Sequence, residues 1–179
     1  MNINNLQIFR ANSSQLDQLQ QISKKTFLEA FSEGNTEENM SRYLSEQFSG
    51  EKLLTELNNP GSEFYMASYN EEVIGYLKIN SGKAQTVELK GRPIEIERIY
   101  VKKEYYGKKL GQLFCDLSKE IAGQKKADYI WLGVWEKNPR AIGFYKKNGF
   151  REFSKHLFKL GDDEQTDILM KLDMVDSMI

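Results

Sequence analysis

The order of segments between residues 94 and 135 constrains the fold more than any other feature of the sequence. Residues 94–101 (IEIERIYV) alternate apolar with charged side chains, which predicts a β-strand. A loop with two glycines leads to a helix predicted from about Gly111 to Gly123, and an apolar run of strand length follows at 129–135. Neighbouring strands joined through a helix run parallel, because the helix carries the chain back across the sheet. The segment therefore predicts a parallel central pair inside a mixed sheet.

The first third of the chain has the periodicity of helices. Apolar residues that recur about every 3.6 positions predict helices at about 14–32 and 36–48, and a third short helix that ends at the turn formers 58–61. The serines at 13–14 and Asn35 stand where the N-caps of the first two helices are expected.

After residue 64 the hydrophobic period changes from that of helices to that of strands. The remaining predicted elements are a hairpin at 64–79 with its turn at 70–72, a loop at 80–93, a helix at 139–148, and strands at about 151–159 and 167–172 around an acidic turn at 161–164. The whole order, ααα-ββ-β-α-β-α-ββ, is typical of an α/β (α+β) domain with a mixed sheet. Since no linker or internal repeat interrupts it, we expect one domain over residues 1–179, frayed from about 174 to 179.

Composition and charge exclude several classes of protein. Lys and Arg number 25 against 26 Asp and Glu, a formal net charge of -1, so no basic field draws the chain to nucleic acid or to an anionic membrane. The single Cys115 and the single His156 leave no intrachain disulfide and no Cys/His set for zinc, and no metal is expected. The N-terminus lacks the layout of a signal peptide, and no apolar run approaches the roughly 18 residues of a membrane helix. We expect a cytoplasmic protein that binds neither nucleic acid nor membrane.

The loop that follows strand 94–101 has the outline of an anion site. A helix N-terminus presents unpaired N–H groups and about half a positive charge, and the two glycines allow a ligand to approach the backbone. Further charge comes from Lys102, Lys103, Lys108 and Lys109. The expected ligand is a phosphate or pyrophosphate. The loop contains neither GxxxxGK[ST] nor GxGxxG, which argues against a nucleotide triphosphatase or a dinucleotide fold.

The segment 131–150 combines a strand, a helix capped by Asn138 and a glycine stop. Its residues alone leave two interpretations open. In one, Asn138 is only a cap, and Phe144 and Tyr145 are core aromatics. In the other, the segment forms one site with the 102–112 loop.

Together these segments resemble the GNAT superfamily of acyl-CoA-dependent N-acetyltransferases. EIERIYV followed by YYGKKLG is similar to motif A of that family, and NPRAIGFYKKNGF is similar to motif B, N-x-x-A-x-x-F-Y-x-x-x-G-F. The chain keeps Gly111 but departs from the motif A pattern Q/R-x-x-G-x-G/A at Tyr106 and Lys109, where a lysine would either crowd a pyrophosphate or add charge to it. The segments TFLEAFSEGNTEENMSRYL, WLGVWEKN and GDDEQTDILM further resemble PaiA-type bacterial polyamine acetyltransferases.

The resemblance implies a GNAT fold, with a mostly antiparallel central sheet of about seven strands, a parallel pair that splays apart, and flanking helices. It also implies that acetyl-CoA lies between the splayed strands. The backbone of 99–101 would meet the pantetheine, the turn at 107–112 would hold the pyrophosphate, and Asn138 would bond the pantetheine arm. The implied cofactor-binding residues are Ile99, Tyr100, Val101, Gly107, Lys108, Lys109, Leu110, Gly111, Gln112, Asn138, Ala141 and Lys147.

Two carboxylates and a phenol are candidates for the acid–base chemistry. An alkylamine of pKa about 10.4 is almost wholly protonated at pH 7 and needs help to become a nucleophile. Glu97 matches the position from which family members recruit a carboxylate base, and Glu95, on the same face of the strand, competes for the role. Tyr145 matches the motif B tyrosine, whose phenol would protonate the departing thiolate.

The resemblance places the amine acceptor against the N-terminal helices, where carboxylates and aromatic rings would hold a cation. The candidates are Phe27, Phe31, Glu33 and Tyr43, with Glu37 and Glu38 open as site residues or as helix caps. The preferred substrate is a polyamine such as spermidine or spermine. A protein or other small-amine acetyltransferase and a non-catalytic acyl-CoA sensor are the alternatives, and a homodimer stays open.

Overall fold

A seven-stranded mixed sheet with helices on both faces forms the centre of the protein. The computed structural model describes residues 5–160 and 163–174. The strands are β1 (Leu6–Arg10), β2 (Ser62–Tyr69), β3 (Glu72–Ser81), β4 (Pro93–Val101), β5 (Tyr129–Trp135), β6 (Arg151–Leu160) and β7 (Asp163–Asp173). The helices are α1 (Leu16–Phe31), α2 (Glu37–Gln47), α3 (Gly50–Leu57), α4 (Leu110–Gln124) and α5 (Pro139–Lys147).

The sheet order is β1-β2-β3-β4-β5-β7-β6, and only β4 and β5 run parallel. The predicted fold class is therefore confirmed, including the parallel pair at the centre. One core lies between the sheet and α4, where Phe114, Ile94 and Ile96 belong to one cluster of buried side chains. Cys115 is fully buried there, and burial raises the pKa of its thiol to about 11. A second core lies on the other face, beneath α1, α2 and α3.

The predicted helices are present, but two of their caps differ from the prediction. Asn12, rather than the serines at 13–14, accepts the hydrogen bond of Ser14 N–H, because a short 3-10 turn precedes α1. Thr36, rather than Asn35, caps α2. The Asn35 side chain instead donates to Phe31 O at 2.7 Å and closes the end of α1.

The strands differ from the prediction at both chain ends. β1 was not predicted, because it is a short, half-buried strand at the sheet edge that pairs only with β2. β7 begins at Asp163 rather than near 167, so part of the predicted acidic turn is strand, and residues 161–162 lie outside the described residues. Of the expected frayed tail, Met174 donates its N–H to Asp128 O at 2.9 Å, and 175–179 lie outside the described residues. In the part of the chain that is described, no helix has the length and apolar character needed to span a membrane.

β4 and β5 separate shortly after they begin. Their pairing covers only residues 93–95 of β4 and 129–131 of β5, although both strands continue. Beyond Glu95 and Trp131, none of the described strands pairs with the facing edges of β4 and β5. The predicted splay is therefore present, and it opens a cleft between the strands.

An extra residue interrupts β4 just after the two strands separate. Lys78 of β3 faces Arg98, whereas the next residue, Ile79, faces Ile96. Glu97 is thus the extra residue of a β-bulge. The bulge lets Glu97 and Arg98 point to the same side of the sheet, which strict alternation would forbid.

Candidate active site

The splay between β4 and β5 opens into a cleft of about 1560 Å³. Nearly all the predicted site residues line it. They are Phe27, Phe31, Glu33, Tyr43, Glu97, Ile99, Tyr100, Val101, Gly107, Lys109, Leu110, Gly111, Gln112, Asn138, Ala141, Tyr145 and Lys147. Lys108 lies elsewhere, with its Nζ 4.7 Å from the centroid of the Tyr105 ring. Glu37 and Glu38 stand in the exposed first turn of α2, outside the cleft.

The N-terminus of α4 forms one end of the cleft. Its N-cap residue, Lys109, has φ +65° and Gly107 has φ +75°, so the chain turns sharply and brings its backbone N–H groups to the cleft. No side chain caps this helix, and its first turn holds no acidic residue. The free N–H groups and the helix dipole suit an anion. In the motif A pattern that the loop resembles, glycine stands at the position of Lys109, whose left-handed conformation costs a lysine about 1 kcal/mol.

Arg140 lies across the cleft from this turn. Its guanidinium stacks over the ring of Tyr106 with 3.8 Å to the ring centroid, so α5 and the loop before α4 face each other through a cation–π contact. Both residues line the cleft. A cation therefore stands beside Tyr106 in the cleft, at the position where the resembled motif A pattern has Gln or Arg.

Two predicted cofactor-binding side chains are partly engaged by the protein. Asn138 Oδ1 accepts the N–H of Ala141 at 3.1 Å as the cap of α5, which leaves its amide N–H groups for a ligand. The Gln112 side chain exchanges two hydrogen bonds with Asn148, so at this position the backbone N–H is the group available to a ligand.

Tyr145 lies where α5 meets the core and the cleft. Its ring is only 6% exposed and packs edge-on against Phe144 and Phe150. None of the described residues hydrogen-bonds its hydroxyl. Burial raises the pKa of Tyr145 above its ordinary value of 10.0, so the phenol keeps its proton at neutral pH.

Glu97 belongs to a buried network of four charges. Its carboxylate lies 2.6 Å from Lys78 Nζ and 3.0 Å from Arg98 Nη2, and both cations also pair with Glu56 of α3, at 3.0 and 2.9 Å. Burial acts to raise the pKa of Glu97, but the charges of Arg98 and Lys78 outweigh it and the pKa lies below its ordinary value. An ionised carboxylate held by two cations is a weak proton acceptor.

We expect Glu97→Gln to lower the free energy of unfolding by about 3 kcal/mol at pH 7, because two buried cations are left with Glu56 alone. The depressed pKa of Glu97 means that its contribution is fully present above the unfolded value near 4.5 and is lost as pH falls through the folded value. Urea unfolding at pH 7 and at low pH measures both effects.

The matched control for this network is Glu95→Gln, which strands no cation and should destabilise the fold less. Equal stability of Glu97→Gln and wild type at pH 7 would contradict the network.

Glu95 has a different environment from Glu97, although Asn80 Nδ2 donates to both. The Thr86 N–H donates to Glu95 at 2.8 Å, and the Thr86 hydroxyl donates as well. Burial raises the pKa of Glu95, partly offset by these hydrogen bonds. The carboxylate oxygens of Glu95 thus already accept hydrogen bonds from Asn80 and Thr86.

The other end of the cleft has aromatic walls. Phe27 is 3% exposed, and the ring of Tyr43 stacks on the ring of Phe27 with 4.5 Å between the ring centroids. The ring of Phe31 packs against Tyr100, with 6.2 Å between the ring centroids, and against Trp135, with 6.1 Å. The predicted aromatic residues therefore form one continuous cluster beside the splayed strands.

Several residues of the cleft were not predicted. They are Glu56, Lys78, Arg98, Arg140, Asp167 and the tryptophans Trp131 and Trp135. One sequence signal was available for the bulge: the charged pair at 97–98 breaks an otherwise strict alternation. His156, predicted on a late strand, is exposed and also lines the cleft.

Comparison with known proteins gives a consistent result. The profile of the acetyltransferase (GNAT) family matches residues 16–150. An uncharacterised N-acetyltransferase of Lactobacillus delbrueckii subsp. lactis is 37% identical over 170 residues, which covers 95% of this chain and 98% of that protein. A spermidine N(1)-acetyltransferase of Thermoplasma acidophilum is 27% identical over 172 residues, or 93% of this chain and 96% of that protein. The crystal structure of the PaiA N-acetyltransferase of T. acidophilum in complex with coenzyme A has the same fold, with a TM-score of 0.77, 23% identity, and coverage of 94% of this chain and 99% of that chain.

Proposed function

This chain belongs to the acetyltransferase (GNAT) family and is an N-acetyltransferase, and from that premise we propose that it transfers the acetyl group of acetyl-CoA to a primary amine of a polyamine such as spermidine or spermine. One observation carries the proposal: a single cleft joins an uncapped helix N-terminus, suited to phosphates, to an aromatic and acidic end suited to an amine.

The cofactor half of the cleft fits acetyl-CoA. The N–H groups at the start of α4 and the nearby cations Lys109 and Arg140 would bind the pyrophosphate. The unpaired edge of β4 at 99–101 and the amide of Asn138 would bind the pantetheine. Acetyl-CoA supplies the activated acetyl group. The solved PaiA neighbour, which was crystallised with coenzyme A, supports this use of the fold.

Two features of the protein would serve the chemistry itself. Backbone N–H groups on the unpaired edge of β4 would polarise the thioester carbonyl, as in an oxyanion hole. Tyr145, protonated at neutral pH, would give its proton to the leaving sulfur. Glu97, held by Lys78 and Arg98, would fix the β-bulge that shapes this edge rather than take a proton directly.

The acceptor half supports a cationic substrate. Phe31 and Tyr43 present aromatic faces, and Glu33 is an exposed carboxylate of the same cleft. An ammonium group binds well to such a combination of aromatic faces and negative charge. The likeness over nearly the whole chain to a spermidine N(1)-acetyltransferase supports the same substrate class.

We expect spermidine and spermine to be acetylated with kcat/KM at least about tenfold above that of a monoamine of similar length, since a second ammonium group adds about 1–2 kcal/mol of binding. The measurement is release of free thiol from saturating acetyl-CoA, with lysine-containing peptides as a third class of acceptor. Equal or faster turnover of monoamines or peptides would refute the polyamine proposal and leave N-acetyl transfer standing. Binding of acetyl-CoA without transfer to any amine would support the sensor alternative.

A further inference from the structure

Asp167 is a carboxylate at the acceptor end of the cleft, in the segment GDDEQTDILM, and the sequence assigned it no role in the site. On β7 it lies between Trp135 of β5 and His156 of β6, its two cross-strand neighbours. A Cβ on Gly133 would lie 3.3 Å from Asp167 Oδ2. The carboxylate therefore lies next to the backbone of Gly133, where no side chain stands between them. Gly133 belongs to the part of β5 that has separated from β4. Asp167 therefore stands beside the opening in which acetyl transfer is proposed to occur.

The turn between α1 and α2 is hydrogen-bonded to β7 two residues from Asp167. Gln165, on the same strand as Asp167, donates to Asn35 Oδ1 at 2.9 Å. Asn35 in turn donates to Phe31 O, and the Phe31 ring contacts Trp135. The predicted acceptor residues of α1 and the carboxylate of β7 thus face one space.

The Asp167 carboxylate is half-buried, yet it receives neither a hydrogen bond nor an ion pair from the described residues. Burial raises its pKa to about 6, although the charge of His156 acts in the opposite direction. A folded pKa above the unfolded value means that ionisation of Asp167 destabilises the fold as pH rises through this range. An ionised Asp167 at pH 7 therefore lowers the stability of the fold. A carboxylate that destabilises the fold in this way is typical of a functional site.

The two carboxylates of β4 are less suited to accept a proton. Two cations hold Glu97 and lower its pKa. Glu95 already accepts hydrogen bonds from Thr86 and Asn80. Among these three carboxylates of the cleft, Asp167 is the one that accepts no hydrogen bond from residues 5–160 and 163–174.

Building on the proposed function, we infer that Asp167 is the catalytic base, which takes a proton from the acceptor amine and passes it to solvent by way of the exposed His156. The incoming ammonium group carries three protons. The first goes to Asp167, and the neutral nitrogen then uses its lone pair to bond to the acetyl carbon, while the carbon–sulfur bond breaks with its electrons on sulfur. Tyr145 protonates that sulfur, and the nitrogen returns one proton to the phenolate and keeps one in the amide.

The titratable groups around Asp167 define its pH response. The charge of His156 on β6 acts on Asp167, while burial and also the charge of Asp167 raise the pKa of Tyr43 on α2, so that this phenol stays neutral. The β5 neighbours Gly133 and Trp135 do not titrate. At pH 7 the Asp167 carboxylate, with its pKa of about 6, is mostly ionised and able to accept a proton. Activity should therefore decline on the acid side as Asp167 becomes protonated.

The test is the pH profile of kcat/KM for spermidine in wild type, Asp167→Asn and the control Glu164→Gln. Glu164 lies on the same strand but is exposed and paired with Lys159 at 3.4 Å. Asp167→Asn should lose at least about 100-fold at pH 7, and the loss should shrink towards pH 9.5 as the amine loses its proton unaided. Its thermal stability and its affinity for coenzyme A should not fall, and Glu164→Gln should match wild type throughout.

Two results would overturn the inference: a loss of less than about threefold in Asp167→Asn, or a loss of the same size at every pH. Either result leaves the proposed function intact if wild type acetylates spermidine. If wild type prefers another amine, the polyamine proposal fails and the same pH profile with that amine decides the role of Asp167.

Discussion

Gly111→Asp is expected to weaken the binding of coenzyme A by at least about 100-fold, or nearly 3 kcal/mol. Gly111 is in the first turn of α4, where the backbone N–H groups have no side-chain cap and no acidic neighbour. An aspartate there would place a negative charge where the pyrophosphate is proposed to bind, and would offer the helix a substitute anion. Isothermal titration with coenzyme A measures the loss directly.

The fold itself should tolerate this substitution. A Cβ at Gly111 would meet only Phe144 Cζ at 3.8 Å, an ordinary contact, and an acid in the first turn stabilises a helix by about 0.3–1 kcal/mol. The melting temperature should therefore stay the same or rise while affinity falls. Gly111→Asn, of the same size without the charge, should lose much less affinity. Unchanged affinity in Gly111→Asp would move the pyrophosphate away from this helix.

Periodicity alone was sufficient to predict most of the fold. The switch from helical spacing before residue 58 to strand spacing after 64 fixed the order of elements, and the helix between 94–101 and 129–135 required a parallel pair. β1 was not predicted because it is an edge strand of five partly buried residues, which is too short to show the two-residue hydrophobic period of a strand. The caps of α1 and α2 were misplaced by one or two residues, since several neighbouring side chains are able to cap and tertiary packing selects among them.

The resemblance to the family implied that the α4 turn and the α5 cap stand beside two splayed strands, and the cleft lies between those elements. The environment of Glu97 could not be predicted from the sequence. Its partners Lys78 and Glu56 come from β3 and α3, and the bulge that turns Glu97 and Arg98 to one side depends on the register with β3. A local pattern shows that a carboxylate is present, but it does not show which cations neutralise it.

Asp167 was missed for a related reason. On an alternating strand near the C-terminus, an aspartate has the pattern of a solvent-facing residue. Only the assembled sheet, with β7 inserted between β5 and β6, brings Asp167 beside Gly133, on a strand that Gln165 joins to the α1–α2 turn. A resemblance over a segment does not show which of its side chains is catalytic, whereas a half-buried carboxylate that accepts no hydrogen bond from the described residues of a cleft is a specific candidate.

Tyr145→Phe is expected to lower kcat by about 100-fold, the usual size of the contribution of a general acid, while the KM for acetyl-CoA stays the same. The substitution removes only the hydroxyl, and the ring keeps its contacts with Phe144 and Phe150. Because no described residue hydrogen-bonds that hydroxyl, stability should not change. Steady-state release of thiol and a thermal melt check both expectations.

The control for this substitution is Tyr65→Phe, which removes a hydroxyl that donates to Glu63 at 2.7 Å, away from the cleft. That variant should lose a little stability and keep its kcat. The pH profile separates the acid from the base: burial keeps the Tyr145 phenol protonated at neutral pH and above, so its loss should slow the reaction equally from pH 6 to 9, whereas the loss of Asp167 should matter least at high pH. A full rate in Tyr145→Phe would mean that water, rather than this phenol, protonates the departing sulfur.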